Sequence, residues 1–333
     1  ERTEHGLMGY TLPNDHVTAN QAVVDWLARQ YDWNISADWI VWTPGVVPAF
    51  NVACKAVCQP GDKVLIQTPN YPPLIAAPKL NDLVKVDIGT VEVDGRLTID
   101  FDDFEKQATD PACKLFIMCN PMNPVGTVLT SQELQRIADI CNINNVMLCS
   151  DEIHCDIILD ENAKHIPAGK LTGFKGQAIT LMAASKTFNV AGLGPSFAII
   201  EDSVVRHKFN VAAKGMVPWV TVLGLAATQA AFTQCDDWHQ AFLQYLRGNR
   251  DFLVAEIAKI SGLKLLTPQA TFLAWIDASG LGVENPQKHF EDLGVGPSPG
   301  ADFGDKSCVR INFGCPRSEL ERAIELIKAG CLN

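Results

Sequence analysis

The chain contains no run of the roughly 18 to 20 apolar residues that a membrane helix needs, which excludes an integral helical membrane protein. It also lacks any block of basic residues. Lysine and arginine number 27 against 38 acidic residues, a formal net charge of −11, which argues against nucleic acid or an anionic lipid surface as a principal partner. A small anionic substrate must then be captured by local groups acting against the overall field. The 11 cysteines include no CxxC pair and no paired zinc spacing, and they read as reduced, buried thiols of a cytoplasmic protein. No internal repeat, low-complexity tract or Gly/Ser linker interrupts the chain. It opens on Glu1-Arg2 with neither an initiator methionine nor a signal-type apolar core, so it reads as trimmed at the front.

What is present suits a folded protein of two domains. Its 333 residues are 47% hydrophobic and 20% charged, ample apolar surface to exclude disorder as the main state. Short β-rich runs cover 62–67, 114–119, 145–149, 177–182 and 196–200. Their lack of clean alternation predicts strands buried on both faces, hence a mostly parallel sheet. A helix from Ser131 to Cys141 separates two of them, opened by a capping box of Thr130 and Glu133. The pattern changes near Asp237. A long amphipathic helix leads into strands near 263–266 and 271–276, a helix over 286–293, a strand over 308–313 and a terminal helix over 317–329. The fold class is therefore α/β, with a large, mostly parallel α/β/α domain over 11–238 and a smaller α+β domain over 239–333.

Polar features fall at the predicted strand ends, where open α/β folds place ligands. Asn120-Pro121-Met122-Asn123-Pro124-Val125-Gly126 is either an ordinary turn or one that holds the Asn123 amide as a donor. Asp151, in Ser150-Asp151-Glu152-Ile153-His154, is either a common strand-end acid or a functional carboxylate. Cys149, His154 and Cys155 suggest no metal, because a strand running through them points 154 away from the other two.

Lys186, in Ala183-Ala184-Ser185-Lys186-Thr187-Phe188-Asn189, stands among small and apolar residues. Such a lysine loses proton affinity and becomes a usable nucleophile or base, a candidate for a Schiff base; the plain reading is a loop lysine reaching the surface. Arg310 sits in an apolar strand and needs an anion, a bound carboxylate or a structural salt bridge. Thr43-Pro44-Gly45-Val46-Val47 precedes a helical pattern from Pro48 to Val57, so the free N–H groups of Gly45 to Val47 form an anion site. Gly192 and Gly194 do not make a dinucleotide fingerprint, since they precede a strand and the third glycine is missing.

In this order and spacing the residues resemble the fold-type I, pyridoxal 5′-phosphate (PLP) dependent enzymes of the class I/II aminotransferase superfamily. The segments 151–154, 185–189 and 310–316 resemble its cystathionine β-lyase subgroup, the MalY/PatB-type C–S lyases. The likeness runs from His5-Gly6-Leu7-Met8-Gly9-Tyr10 to the terminal helix.

The resemblance implies that Lys186 carries the cofactor, Asp151 pairs with its pyridine nitrogen and Asn123 donates to its 3′-oxygen. Tyr71 stacks on the ring, the Val46 and Val47 N–H groups with Ser185 hold the phosphate, and Arg310 binds the substrate α-carboxylate. Tyr10 reaches the phosphate of a neighbouring subunit, which implies a homodimer with shared sites. Three positions depart from many aminotransferases. Ala183 stands where a serine is usual, Gly194 where an arginine is, and His154 where a tyrosine lies near the 3′-oxygen.

The resemblance favours β-elimination from cystathionine or a related cysteine S-conjugate, giving a thiol, pyruvate and ammonia. Transamination between an amino acid and a 2-oxo acid uses the same residues, and a regulatory role on the same fold is a third reading. Relatives carry several dozen residues before the segment at 5–10, so an N-terminal arm and part of the small domain are expected to precede Glu1.

Overall fold

Leu65-Ile66 and Phe116-Ile117 are adjacent apolar pairs whose members point to opposite faces of a strand, and in the protein both faces are covered. Leu65 and Phe116 join one core with Phe104 and Leu148, while Ile66 and Ile117 join a second with Phe50 and Phe209. The computed structural model describes residues 3–6, 8–12, 16–174 and 176–331; Leu7 of the segment at 5–10 lies outside them.

The strands in chain order are β1 (Ile40–Thr43), β2 (Lys63–Gln67), β3 (Val84–Ile88), β4 (Thr90–Val93), β5 (Arg96–Ile99), β6 (Cys113–Cys119), β7 (Met147–Asp151), β8 (Ala178–Met182), β9 (Ser196–Ile199), β10 (Lys264–Leu265), β11 (Leu273–Asp277), β12 (Ser298–Pro299) and β13 (Cys308–Asn312). The helices are α1 (Val17–Tyr31), α2 (Val46–Val57), α3 (Pro72–Leu80), α4 (Phe101–Ala108), α5 (Ser131–Asn144), α6 (Ser203–Ala213), α7 (Val222–Gln234), α8 (Asp236–Ile257), α9 (Pro286–Asp292) and α10 (Arg317–Cys331).

Seven strands form the large sheet in the order β1-β9-β8-β7-β6-β2-β3. The pairs from β3 through β8 are parallel, as the two-faced burial predicts. The run at 196–200 is the exception: β9 lies antiparallel to both β8 and β1. The run at 145–149 is shifted as well, because β7 continues through Ser150 and Asp151, polar residues buried at the strand end. The strand therefore stops at Asp151 and turns follow, so the face alternation expected through residue 155 does not apply.

The capping box forms as read: Thr130 Oγ1 accepts from the Glu133 N–H, and Glu133 accepts from the Thr130 N–H. Glu133 also takes Arg96 at 2.7 Å and the Thr98 hydroxyl at 2.6 Å, tying α5 to β5.

A four-stranded antiparallel sheet, β10-β11-β13-β12, carries the C-terminal part. One face packs with α8 and α10 around Leu246, Ile257, Ile276, Val309 and Ile324. Trp275 and Phe303 instead join the core of the large sheet. Helix α8 is continuous from Asp236, so the expected boundary at 238/239 falls inside its first turn. The eleven cysteines are all free, most of them buried. Among the described residues no helix is long and apolar enough to cross a membrane.

Candidate active site

Asn123 and Lys186 follow β6 and β8 and Asp151 ends β7, three neighbouring parallel strands, which brings all three to one edge of the sheet. There they border a cavity of about 480 Å³ together with Tyr71, Val46, Val47, Ser185, His154 and Arg310. Tyr10 is not in it. That residue is 96% exposed and meets the edge of Trp219, with ring centroids 5.9 Å apart. A second cavity of about 490 Å³, lined in part by Trp42, Arg206 and Trp219, holds none of the four polar strand-end features.

Asp151 is 2% exposed, and the one hydrogen bond its carboxylate makes with a described residue comes from the Ile153 N–H to Oδ1 (3.2 Å). Burial pushes its pKa up to about 7; Glu152 adds to the rise, while the Ile153 N–H and Lys186 oppose it. No cation among the described residues pairs with it. A cationic N–H placed against it would restore the charge that burial disfavours.

Lys186 is half-buried, and among the described residues nothing accepts a hydrogen bond from its ammonium. It lies in a turn fixed by the Phe188 N–H to Ala184 O (2.9 Å) and the Val190 N–H to Ser185 O (3.0 Å). Its side chain forms part of the cavity wall.

Among the described residues no carboxylate lies within ion-pair distance of Arg310. Its guanidinium donates to Asn123 Oδ1 (3.0 Å) and Ser298 Oγ (3.2 Å) and lies over the Phe303 ring, 4.4 Å from the centroid. Because Asn123 spends its oxygen on Arg310, its amide N–H groups remain as donors.

His154 is 3% exposed and packs edge-on against Phe272, with Nδ1 buried and unpartnered among the described residues. Burial first, then the charges of Lys186 and Arg310, lower its pKa to about 3, so the imidazole is neutral at neutral pH. The Tyr71 phenol is held above its ordinary range by burial and by the field of Asp151, and stays protonated there. Its backbone is fixed by Asn70, whose Oδ1 accepts the Tyr71 N–H (2.7 Å).

The anion cradle differs from expectation in one respect. Helix α2 begins at Val46, and the Gly45 N–H is not free: it donates to Ser196 Oγ at 3.0 Å. Ser196 also donates to Thr43 O (3.0 Å) and stands 2.7 Å from Thr43 Oγ1. The Val46 and Val47 N–H groups of the first turn remain, with the Ser185 hydroxyl beside them in the cavity wall. Ser196 has no local motif; only the pairing of Thr43 with Ser196 across β1 and β9 reveals it.

Gly194 explains why no arginine occupies its position. Its φ is +67°, and a Cβ there would meet the Pro44 carbonyl oxygen at 3.2 Å. A left-handed backbone costs a residue with a Cβ about 1–2 kcal/mol. Introducing the arginine usual in aminotransferases, Gly194→Arg, is therefore expected to lower the melting temperature of the cofactor-free protein by several degrees. A variant melting at or above wild type in a thermal scan refutes this.

Among the described residues no group of three or more His, Cys, Asp or Glu side chains is placed to hold a metal ion. The cavity combines a buried acid, an arginine and a lysine, none of them with an ion-pair partner among the described residues, and a helix N-terminus.

Comparison with known proteins finds relatives over nearly the whole chain. The family described as aminotransferase class I and II matches residues 2–327. Cystathionine beta-lyase PatB of Bacillus subtilis (strain 168) is 33% identical over 340 residues, covering 99% of this chain and 86% of its own. The crystal structure of OvoB superposes with a TM-score of 0.96 at 39% identity, covering 99% of this chain and 86% of that one. Cystalysin from Treponema denticola, solved with a pyridoxal 5′-phosphate cofactor, superposes with a TM-score of 0.93 at 31% identity, covering 99% and 85%.

Proposed function

The chain belongs to the class I and II aminotransferase family, and from that membership we propose that it is a PLP-dependent carbon–sulfur β-lyase. Its substrate on this reading is cystathionine or a related cysteine S-conjugate, and its products are a thiol, pyruvate and ammonia. The 33% identity to cystathionine beta-lyase PatB over nearly the whole chain supports the lyase chemistry. The observation that carries the site is the joining of Lys186, Asp151 and an unneutralised Arg310 in one cavity.

The donor set fits the cofactor part by part. Asp151, raised in pKa and without a cation, suits the protonated pyridine nitrogen. The Asn123 amide N–H suits the 3′-oxygen, with neutral His154 nearby, and the Tyr71 ring is placed to stack. The Val46 and Val47 N–H groups and the Ser185 hydroxyl would hold the phosphate, and Lys186 would bond the aldehyde carbon. Bound there, the cofactor supplies an electron sink for the carbanion left when Cα loses its proton.

The chain's residues supply the rest. Arg310 binds the α-carboxylate and fixes which Cα bond faces the lysine. Lys186 takes the Cα proton, a role typically worth about 10²- to 10⁴-fold. The Cβ–S bond then breaks with its electron pair going to sulfur, which takes up a proton and leaves as the thiol. Water completes the remaining fragment to pyruvate and ammonia.

We further take the protein to be a cytoplasmic homodimer in which Tyr10 reaches the partner's phosphate site. The large and small domains are assigned to 11–238 and 239–333. Supplying cystathionine to the holoprotein is expected to release pyruvate. Glutamate formed from 2-oxoglutarate and an amino donor, without pyruvate from cystathionine, would overturn the lyase assignment in favour of transamination.

A further inference from the structure

Among the described residues, Arg310 is held in place entirely by neutral groups. On β12, Ser298 lies directly opposite Arg310, and its hydroxyl accepts from the guanidinium at 3.2 Å. Beneath the guanidinium lies the Phe303 ring, which is 2% exposed and braced edge-on by Trp275, the residue opposite Arg310 on β11. Ser298 and Phe303 bracket one short segment that turns back against β13. Gly300, between them, makes that turn possible: a Cβ there would lie 2.1 Å from the Cys308 carbonyl oxygen and 2.2 Å from that of Asp305. The same segment reaches the large sheet, because the Phe303 carbonyl accepts the Asn70 N–H at 3.0 Å and Asn70 orients Tyr71.

We propose that Ser298 and Phe303 are positioning residues for substrate carboxylate recognition: they aim the Arg310 guanidinium while leaving its charge unneutralised. The inference rests on Arg310 as the carboxylate-binding residue. A carboxylate in Ser298's place would aim the arginine equally well and cancel the charge the substrate needs. A hydroxyl and an aromatic face orient it through a partial negative charge only, so the full cation remains for the ligand. The tie from Phe303 to Asn70 gives Arg310 and Tyr71, which arrive from distant parts of the chain, a common support.

The test is a spectroscopic titration of the holoprotein with L-alanine and with L-alaninamide, which differ in the carboxylate alone. The cofactor absorbance reports binding whether or not elimination follows. Ser298→Ala and Phe303→Leu are each expected to weaken L-alanine binding about tenfold, the size of one lost contact to a charged group, and to leave L-alaninamide unchanged. Ser298→Thr, which restores the hydroxyl, is expected to recover wild-type binding. Equal weakening of both ligands, or of neither, overturns the positioning role. Ser298 is half-buried, so Ser298→Ala carries the test alone if Phe303→Leu folds poorly. Arg310→Gln, which removes the charge, separates the two levels of the argument. If that variant keeps the wild-type preference for alanine over alaninamide, Arg310 is not the carboxylate-binding residue and the positioning role falls with it.

Discussion

A Lys186→Ala protein is expected to be colourless and to lose at least about 10⁴-fold in turnover, the upper range for a positioned base before loss of the covalent tether is counted. The stability of the chain should be nearly untouched. Lys186 is half-buried and has no hydrogen-bond or ion-pair partner among the described residues, and substitutions of that kind usually stay within about 0.5 kcal/mol. Loss of activity with an unchanged melting curve therefore isolates chemistry from folding. Lys186→Arg keeps a cation there but offers no amine of usable pKa, and it should be as inactive as the alanine variant. The checks are absorbance of the reconstituted protein and pyruvate release. Full turnover by Lys186→Ala would sink the assignment.

The second large effect concerns Asp151, and it has opposite signs with and without cofactor. Asp151→Asn in the holoprotein is expected to lower turnover about 10²- to 10³-fold, since an amide cannot sustain the positive charge on the ring nitrogen and a buried ion pair loses one partner. Without cofactor, the wild-type carboxylate is a liability. Its folded pKa of about 7 lies above the ordinary aspartate value of 3.8, so the folded state binds the proton more tightly than the unfolded state. Its cost is absent below the unfolded value, grows as pH rises through the interval between the two, and is fully present above about 7. Cofactor-free Asp151→Asn should accordingly melt above wild type at pH 8, with the gap closing toward pH 4. Thermal scans across that range decide it, and a gap that widened on acidification would contradict the burial argument.

These two residues were legible in the sequence for the same reason that much of the large sheet was. Strands covered on both faces are largely apolar, so a polar residue at or just beyond the end of one stands out. Lys186 follows Ala183-Ala184-Ser185, and Asn123 sits between two prolines. The boundary of β7 was misplaced because Ser150 and Asp151 are polar residues inside a buried strand, where composition argues for a loop.

What escaped the sequence were partnerships fixed by register between distant strands. The direction of β9, Ser196's hold on the Gly45 N–H, and the placement of Ser298 against Arg310 all depend on pairings with no local signature. The capping box of α5 was readable because both of its partners lie within four residues. The further use of Glu133 by Arg96 and Thr98, more than thirty residues away, was not.

The clamp of Ser196 on Thr43 and Gly45 also bears on when the site comes into being. The two contacting hydroxyls are 153 residues apart in sequence, yet the turn they secure opens the helix whose first N–H groups would receive the phosphate. During synthesis the Gly45 turn and α2 leave the ribosome long before residue 196 exists, and domains form as their segments emerge. Until β9 reaches β1 that turn lacks its Ser196 contacts, so the proposed phosphate site is complete only after a strand from much later in the chain has joined the sheet.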